Sequence, residues 1–456
     1  MIVILLVSLI YSNTLNGPFI FDDGQNIRDN PHIRLTQLDY ESIREAAFES
    51  ILAKRPIANI SFALNYYFHG YDLPGYHLVN ILIHIMTAIF LYFLIKATLD
   101  IVYKRHQSAF IVGSVNVEYI AFAAVLIWAV HPLHTQSVTY IVQRMNSMAA
   151  MFYILSMLLY AKARLASGRR IRWVLYGGCL AAGILGLGTK EIAATLPAFI
   201  FLYEWYFFQD LDRAWLKRKL LISLGILAVF GIIAVVYLGI HPFEKILSGY
   251  GRRDFTLVQR VLTEFRIVIH YMTLLVFPHP DRLNLDYDFP LSYSLINPVS
   301  TVFSLMVIIG LLGTAVYLAR RERLISFCIL WFIGNLAIES SVIALELVYE
   351  HRTYLPSMFV ILAAVLAAHY FLKDRWVRVV ALCCVVGMFS VWTYQRNLIW
   401  ADELMLWTDI LMKSPNKARP HNNLGLVLLD RGENDGAIEQ LERALELAPD
   451  RYAIYN

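Results

Sequence analysis

Residues 76–97 read YHLVNILIHIMTAIFLYFLIKA, an apolar run as long as the roughly 20 residues a helix needs to cross a bilayer core. This run decides the class of the protein. Outward from it, comparable runs occupy residues 1–15, 117–130, 138–161, 173–188, 192–208, 220–239, 299–319, 324–344, 356–372 and 376–393. The first lacks the basic lead and small-residue cleavage site of a secretory signal, so it reads as a transmembrane helix. Composition agrees: of 456 residues, 58% are hydrophobic and only 16% charged, with a mean hydropathy of +0.54. A soluble chain of this length would carry about 25% charge and form about three domains. Disordered and nucleic-acid-binding chains need denser charge still. The net charge of +4 is too mild for a polyanionic partner. Cys179, Cys328, Cys383 and Cys384 sit in apolar stretches without metal spacing or a disulfide pattern.

Basic loops orient the spans, since Lys and Arg collect on the cytoplasmic side. The clusters are Lys104-Arg105, residues 164–172, residues 213–219, Arg320-Arg321-Arg323 and residues 373–378. One alternation puts all five inside, provided residues 261–277, interrupted by Arg266 and His270, form a re-entrant or interfacial helix. The expected fold is all-α and polytopic, with about 11 transmembrane helices. The same alternation gathers the loop 16–75, His131 to His134, Lys190-Glu191, residues 284–288 and Glu350 to Arg352 on the outer face.

Beyond Thr393 the composition changes. Residues 418–451 fit one tetratricopeptide repeat of about 34 residues. Leu424-Gly425, Ala437, Leu441, Ala444 and Pro449 hold its small and apolar positions, while His421 and Leu428 replace the usual aromatics. A second repeat is expected from Tyr452. Because about three repeats are needed to bury such a face, the chain reads as part of a longer array. The division is a membrane domain at 1–395, an amphipathic connector at 396–417 and the repeat at 418–456.

Several constellations could carry chemistry. Asp22-Asp23 follows the first span; paired carboxylates serve as a base with its supporting acceptor, bind a cation, or form a solvated turn. If its helix begins near Ser137, Arg144 lies roughly 10 Å below the surface, where a charge needs a cavity or a partner. Lys190 and Glu191 could pair with each other. Arg352 and His351 suit a phosphate, or with Tyr349 and Tyr354 an interfacial anchor. His131, His134, His77, Asn80 and His84 give no converging metal set, so no metal is expected. Trp205, Trp400 and Trp407 read as an interfacial aromatic belt. No phosphate-binding glycine loop or nucleophile elbow is present.

The order of these motifs resembles the transmembrane and tetratricopeptide repeat-containing (TMTC) O-mannosyltransferases and their prokaryotic relatives. The matching stretches are Phe19-Ile20-Phe21-Asp22-Asp23, Arg55-Pro56 through Asn65-Tyr66, Tyr76-His77-Leu78-Val79-Asn80 and His131-Pro132-Leu133-His134-Thr135. They continue with Val142-Gln143-Arg144, Lys190-Glu191 with Pro197, Glu350-His351-Arg352-Thr353-Tyr354-Leu355-Pro356, and Arg396-Asn397 with Trp400. The resemblance implies a GT-C glycosyltransferase that takes a sugar, mannose by family, from a polyprenyl-phosphate carrier. It implies Asp22, with Asp23 as substitute, as the base for an acceptor hydroxyl. Arg144, Arg352, His351, Lys190 and Arg55 would meet the donor phosphate; His131, His134, His77, Asn80, Glu191 and Glu350 would line the substrate cavity. The lipid-linked sugar is the only cofactor-like group implied, and the repeats would select the acceptor protein. The site would face away from the cytoplasm, across a prokaryotic plasma membrane or an endoplasmic reticulum membrane. A transporter, which usually shows inverted repeats and broken mid-membrane helices, and a tethered scaffold are the competing classes.

Overall fold

The computed structural model describes residues 1–105, 116–238 and 242–449, and among these every regular element is helical. Among the described residues, five helices are long and apolar enough to cross a membrane: Leu73–Lys104, Ile141–Leu165, Arg169–Leu187, Ser300–Leu318 and Arg375–Ile399. A sixth forms if Val117–Ala129 and Pro132–Val138, bent by 55°, count as one. Ile2–Thr14, Arg323–Leu336 and Ser357–Phe371 are apolar but shorter.

Several expected spans end early for local reasons. The run 324–344 is helical only to Leu336 and then passes through turns and bends. The run 192–208 begins as a 3-10 turn, Glu191–Thr195, and becomes an α-helix at Leu196, with Pro197 in the first turn where its missing N–H costs nothing. The run 220–239 is helical over Leu220–Leu238, and its end lies outside the described residues. Residues 261–276 lie in the continuous helix Leu257–Val276, started by a capping box between Thr256 and Gln259 and ended before Phe277.

The helix Leu73–Arg105 packs against Arg144–Leu165 and Val117–Ala129, and the last of these against Ser357–Phe371. Their shared core runs through Ile85, Leu91, Trp128, Tyr153, Phe327 and Phe359. By contrast Ser300–Leu318 and Arg375–Ile399 leave Val307, Ile309, Val316, Val380 and Val391 uncovered. Apolar faces of that extent suit hydrocarbon rather than water. This is a membrane protein.

A second core sits at one end of the bundle. It joins Ile20 and Ile27 of the first loop, Tyr140 to Met148, Leu285, and Trp400, Trp407, Leu424 and Val427 from the C-terminal part. Trp400 and Trp407, expected in an interfacial belt, are instead only 2% and 3% exposed. Trp400 lies against Tyr140 and Trp407 against Phe21, at 5.4 and 6.0 Å between ring centroids. Burying an aromatic of this size contributes about 2–3 kcal/mol, so these two rings hold the C-terminal part to the bundle. That part consists of the helix Glu403–Lys413 and a hairpin of Ala418–Asp430 and Asn434–Leu447. Gly432, at φ +79°, turns the hairpin. Gly425 lets its helices approach, since a Cβ there would come within 2.7 Å of Leu441 Cγ.

Candidate active site

The first loop leaves its helix through a tight turn that aims two carboxylates differently. Phe21 has φ +49°, a left-handed conformation that costs a non-glycine residue free energy and is held by its surroundings. Asp23 is buried, and both of its oxygens are engaged: Oδ2 accepts from the Ile20 amide at 2.9 Å and Oδ1 from the Val142 amide at 2.6 Å. Burial nevertheless pushes its carboxyl up to about 8, against the pull of those amides and of Arg144. Asp22 is half-buried, and its backbone N–H donates to the Tyr140 hydroxyl at 2.9 Å. Its carboxyl is raised by burial and drawn down by Arg419, the Tyr140 hydroxyl and Arg55. Chemically the pair divides into a buried carboxyl held by two backbone amides and a half-buried one that meets the Tyr140 hydroxyl.

Arg144 corrects an expectation. The helix starts at Arg144, after a 3-10 turn Ile141–Gln143, and not near Ser137. Tyr140 is extended there, and Asp23 takes the Val142 amide that a continuous helix would have used. Arg144 therefore lies at a helix entrance rather than two turns inside. Its guanidinium is fully buried and donates to Asn80 and Asn65 Oδ1, both at 2.7 Å, and to the Tyr76 and Ser61 carbonyls at 3.0 and 3.1 Å. It also lies 4.7 Å from the Phe62 ring centroid. This arginine knits three helices together.

Arg352 is likewise buried, and donates to the Leu347 and Glu346 carbonyls at 2.8 and 2.6 Å. His351 places its amide 2.8 Å from Gln136 Oε1, and its ring lies flat on Tyr349. Burial, with Lys190, Arg352 and Arg55 nearby, lowers its basicity well below the imidazole range, so the ring is neutral. Glu350 Oε1 accepts from the Asn284 amide and the Tyr287 hydroxyl at 2.5 and 2.9 Å.

Lys190 and Glu191 do not pair with each other. Lys190 bonds Glu339 at 2.9 Å and Asn146 at 3.0 Å, and Asn146 in turn donates to the His351 carbonyl at 2.8 Å. Glu191 takes both arms of the Arg55 fork, at 2.6 and 3.1 Å. The Arg55 and Glu191 side chains stay 22% and 24% exposed, against 6% for Lys190. Thus Arg55 is the most accessible of the five donor-phosphate candidates singled out from the sequence.

The remaining candidates are buried and held by polar or aromatic neighbours. His77 Nε2 meets the Gly17 carbonyl at 2.9 Å, Asn80 donates to Val138 and Ile141 carbonyls, and His84 joins Tyr354 and Ala129. His131 and His134 are fully buried, beside Phe389 and Trp128 respectively. Among the described residues no group of three or more His, Cys, Asp or Glu is placed to hold a metal ion.

Next to the first loop opens a cavity of about 320 Å³, bordered by Arg253, Asp286, Tyr287, Glu346, Tyr349 and Arg419. Its walls come from five parts of the chain brought to one end of the bundle.

Comparison with known proteins meets this arrangement along nearly the whole chain. Over 98% of its length the chain is 24% identical to "Protein O-mannosyl-transferase F38B6.6" of Caenorhabditis elegans, covering 63% of that protein. It is 25% identical to "Protein O-mannosyl-transferase TMTC3" of Homo sapiens, over 98% of the chain and 51% of that protein. To "Protein O-mannosyl-transferase TMTC2" of Homo sapiens it is 30% identical over 61% of the chain and 34% of that protein. Each of these relatives is called a protein O-mannosyl-transferase, and two of them match the chain along nearly its whole length. No family model and no solved structure matches it. It spans about half to two thirds of the relatives matched over most of its length.

The order of residues gave no sign of Tyr140, Glu346 and Arg419. Tyr140 is one more aromatic in an apolar run, and Glu346 stands two residues past the run 324–344 that reads as a span. Arg419 opens a helix assigned to a separate module. Only the loop 284–288, noted as polar, gave a signal of this wall of the cavity.

Proposed function

We propose that this protein transfers a sugar, mannose, from a polyprenyl-phosphate carrier to hydroxyl groups of proteins outside the cytoplasm. The observation that carries this reading is the half-buried carboxyl of Asp22, drawn down by Arg419, the Tyr140 hydroxyl and Arg55, in a chain whose relatives are called O-mannosyl-transferases. In the reaction, Asp22 accepts the acceptor hydroxyl's proton while that oxygen attacks the anomeric carbon. The bond from that carbon to the phosphate oxygen breaks, and the lipid phosphate leaves with the electron pair. One displacement inverts the anomeric centre.

Asp23 positions the base by pinning the turn to Val142. The exposure of Arg55 supports it as the cation that meets the phosphate, with Lys190 behind it, where developing charge is stabilised most. Arg144 and Arg352 act by holding the loops on which these groups stand. His131, His134, His77, Asn80, Glu191 and Glu350 shape the walls. The shorter apolar helices, with the helix that starts at Leu196 and Leu220–Leu238, complete a domain of about 11 passages, GT-C-like in plan, with the site on the outer side. The hairpin is a tetratricopeptide repeat that recruits the acceptor protein; the second repeat expected from Tyr452 lies outside the described residues. The membrane is a prokaryotic plasma membrane, or that of the endoplasmic reticulum in a eukaryote. No divalent metal takes part.

Membranes carrying the protein, or its Asp22→Asn variant, would be given radiolabelled polyprenyl-phosphate mannose and acceptor proteins. Label entering protein with the wild type and not with a folded variant supports the reading. Equal transfer by both removes Asp22 as base, and no transfer from any lipid-linked sugar removes the activity.

A further inference from the structure

The helix Ala418–Asp430 begins with a guanidinium that reaches into the membrane domain. Arg419 Nη2 donates to Glu346 Oε1 at 2.7 Å, Nη1 lies 3.4 Å from Asp286 Oδ2, and Cζ stands 5.8 Å from the Phe21 ring centroid. Those partners belong to three separate segments, and the last is the strained residue preceding Asp22. From the other side Arg253 holds Glu346 at 2.5 Å, and Lys417 pairs with Asp286.

An isolated ion pair on a wet surface contributes about 0–1 kcal/mol, and nothing would follow from one. Here the side chains are 24% exposed for Arg419, 17% for Glu346 and 6% for Asp286. The connecting backbone is fixed as well: Ser414 Oγ accepts from the Asp288 amide at 3.0 Å, and Lys413 donates to the Pro280 and Leu283 carbonyls. The hairpin is therefore seated on the loops rather than hung beside them.

We infer that Arg419 is a positioning residue for the proposed transfer, so that the C-terminal hairpin forms one wall of the site and sets the placement and charge of Asp22. This rests on Asp22 being the base. The charged and titratable groups that act with Asp22 are Arg419 and Arg55 in its favour, Glu346 and Asp23 against, and the Tyr140 and Tyr349 hydroxyls. Arg419 is the strongest of the opposing influences to burial. Replacing it by a neutral side chain removes that attraction and leaves the Glu346 charge less compensated. Both changes make Asp22 harder to ionise.

The test uses the whole chain in membranes, as Arg419→Met and Arg419→Lys. Two quantities are followed: the pH dependence of kcat/KM for mannose transfer, and amide hydrogen exchange over residues 284–289 and 344–350. For Arg419→Met the acidic limb should move up by about half a pH unit or more, and exchange should quicken in both loops. Arg419→Lys should restore most of the pH profile, because it keeps the charge. A lower plateau with an unmoved acidic limb would overturn the charge role, and unchanged exchange would overturn the positioning. Should the wild type transfer no sugar, the Asp22 reading fails by itself. The exchange comparison then still decides whether Arg419 fastens the hairpin to these loops.

Discussion

The Asp23 carboxylate lies 2.6 Å from the Val142 amide, 119 residues further along the chain. This bond ends one structural element and positions another. It captures the amide that would have continued a helix upstream of Arg144, and it fixes the turn on which Asp22 stands.

Asp23→Ala should therefore cost about 3 kcal/mol, since it strands two buried amides at roughly 1–3 kcal/mol each. Asp23→Asn keeps one acceptor oxygen and should cost about half as much. Thermal unfolding in detergent separates the two; equal and negligible losses would show that the amides find other partners. The raised carboxyl adds a pH effect. A folded-state value near 8 against an ordinary value of about 3.9 means the folded protein binds the extra proton. Its contribution to stability is present in full below the ordinary value and is lost as pH rises through about 8.

Transfer should need ionised Asp22. Burial raises this carboxyl, so the acidic limb of kcat/KM should lie above the ordinary carboxylate range of about 3.9. Activity rises with pH through that limb. A pH profile flat down to the ordinary range would show that Asp22 does not titrate as the base.

Arg144→Lys is expected to be far from conservative. The guanidinium satisfies four oxygens in fixed directions, and a lysine ammonium has neither the fork nor the reach. The variant should lose about 3 kcal/mol, as when a buried charge loses its partners. Asn65→Ala should lose less, about 1–2 kcal/mol. Melting temperatures of both in detergent check the order.

Arg55→Ala should weaken use of the lipid donor by about 10- to 100-fold, or roughly 1.4–2.7 kcal/mol. It also leaves Glu191 unpaired, so Arg55→Ala with Glu191→Gln is the control. If the double variant recovers full transfer, Arg55 serves only to neutralise Glu191 and does not meet phosphate.

Gly425→Leu would drive a side chain into Leu441, where even a Cβ comes within 2.7 Å. Overpacking of this kind costs about 1–3 kcal/mol. Protease cleavage of the hairpin should quicken, while unfolding of the helical bundle stays unchanged. Loss of the bundle along with the hairpin would mean that the two unfold together.

Much of the architecture follows from short-range patterns. Apolar runs near 20 residues, the capped helix starts and the small residues of the hairpin are local properties, so the all-helical membrane character was legible in the order of residues alone. The candidate set around the first loop was legible for the same reason, as charged groups standing at the ends of apolar runs. What the order of residues could not express is which of two adjacent carboxylates is occupied, where the helix bearing Arg144 begins, and which cations remain open. Those depend on partners far away in the chain: Val142 for Asp23, Glu191 for Arg55, Glu339 for Lys190, Glu346 for Arg419. A charge takes its role from its neighbours in space, because desolvation and pairing set both its ionisation and its freedom to bind. Those neighbours exist only once the chain has folded.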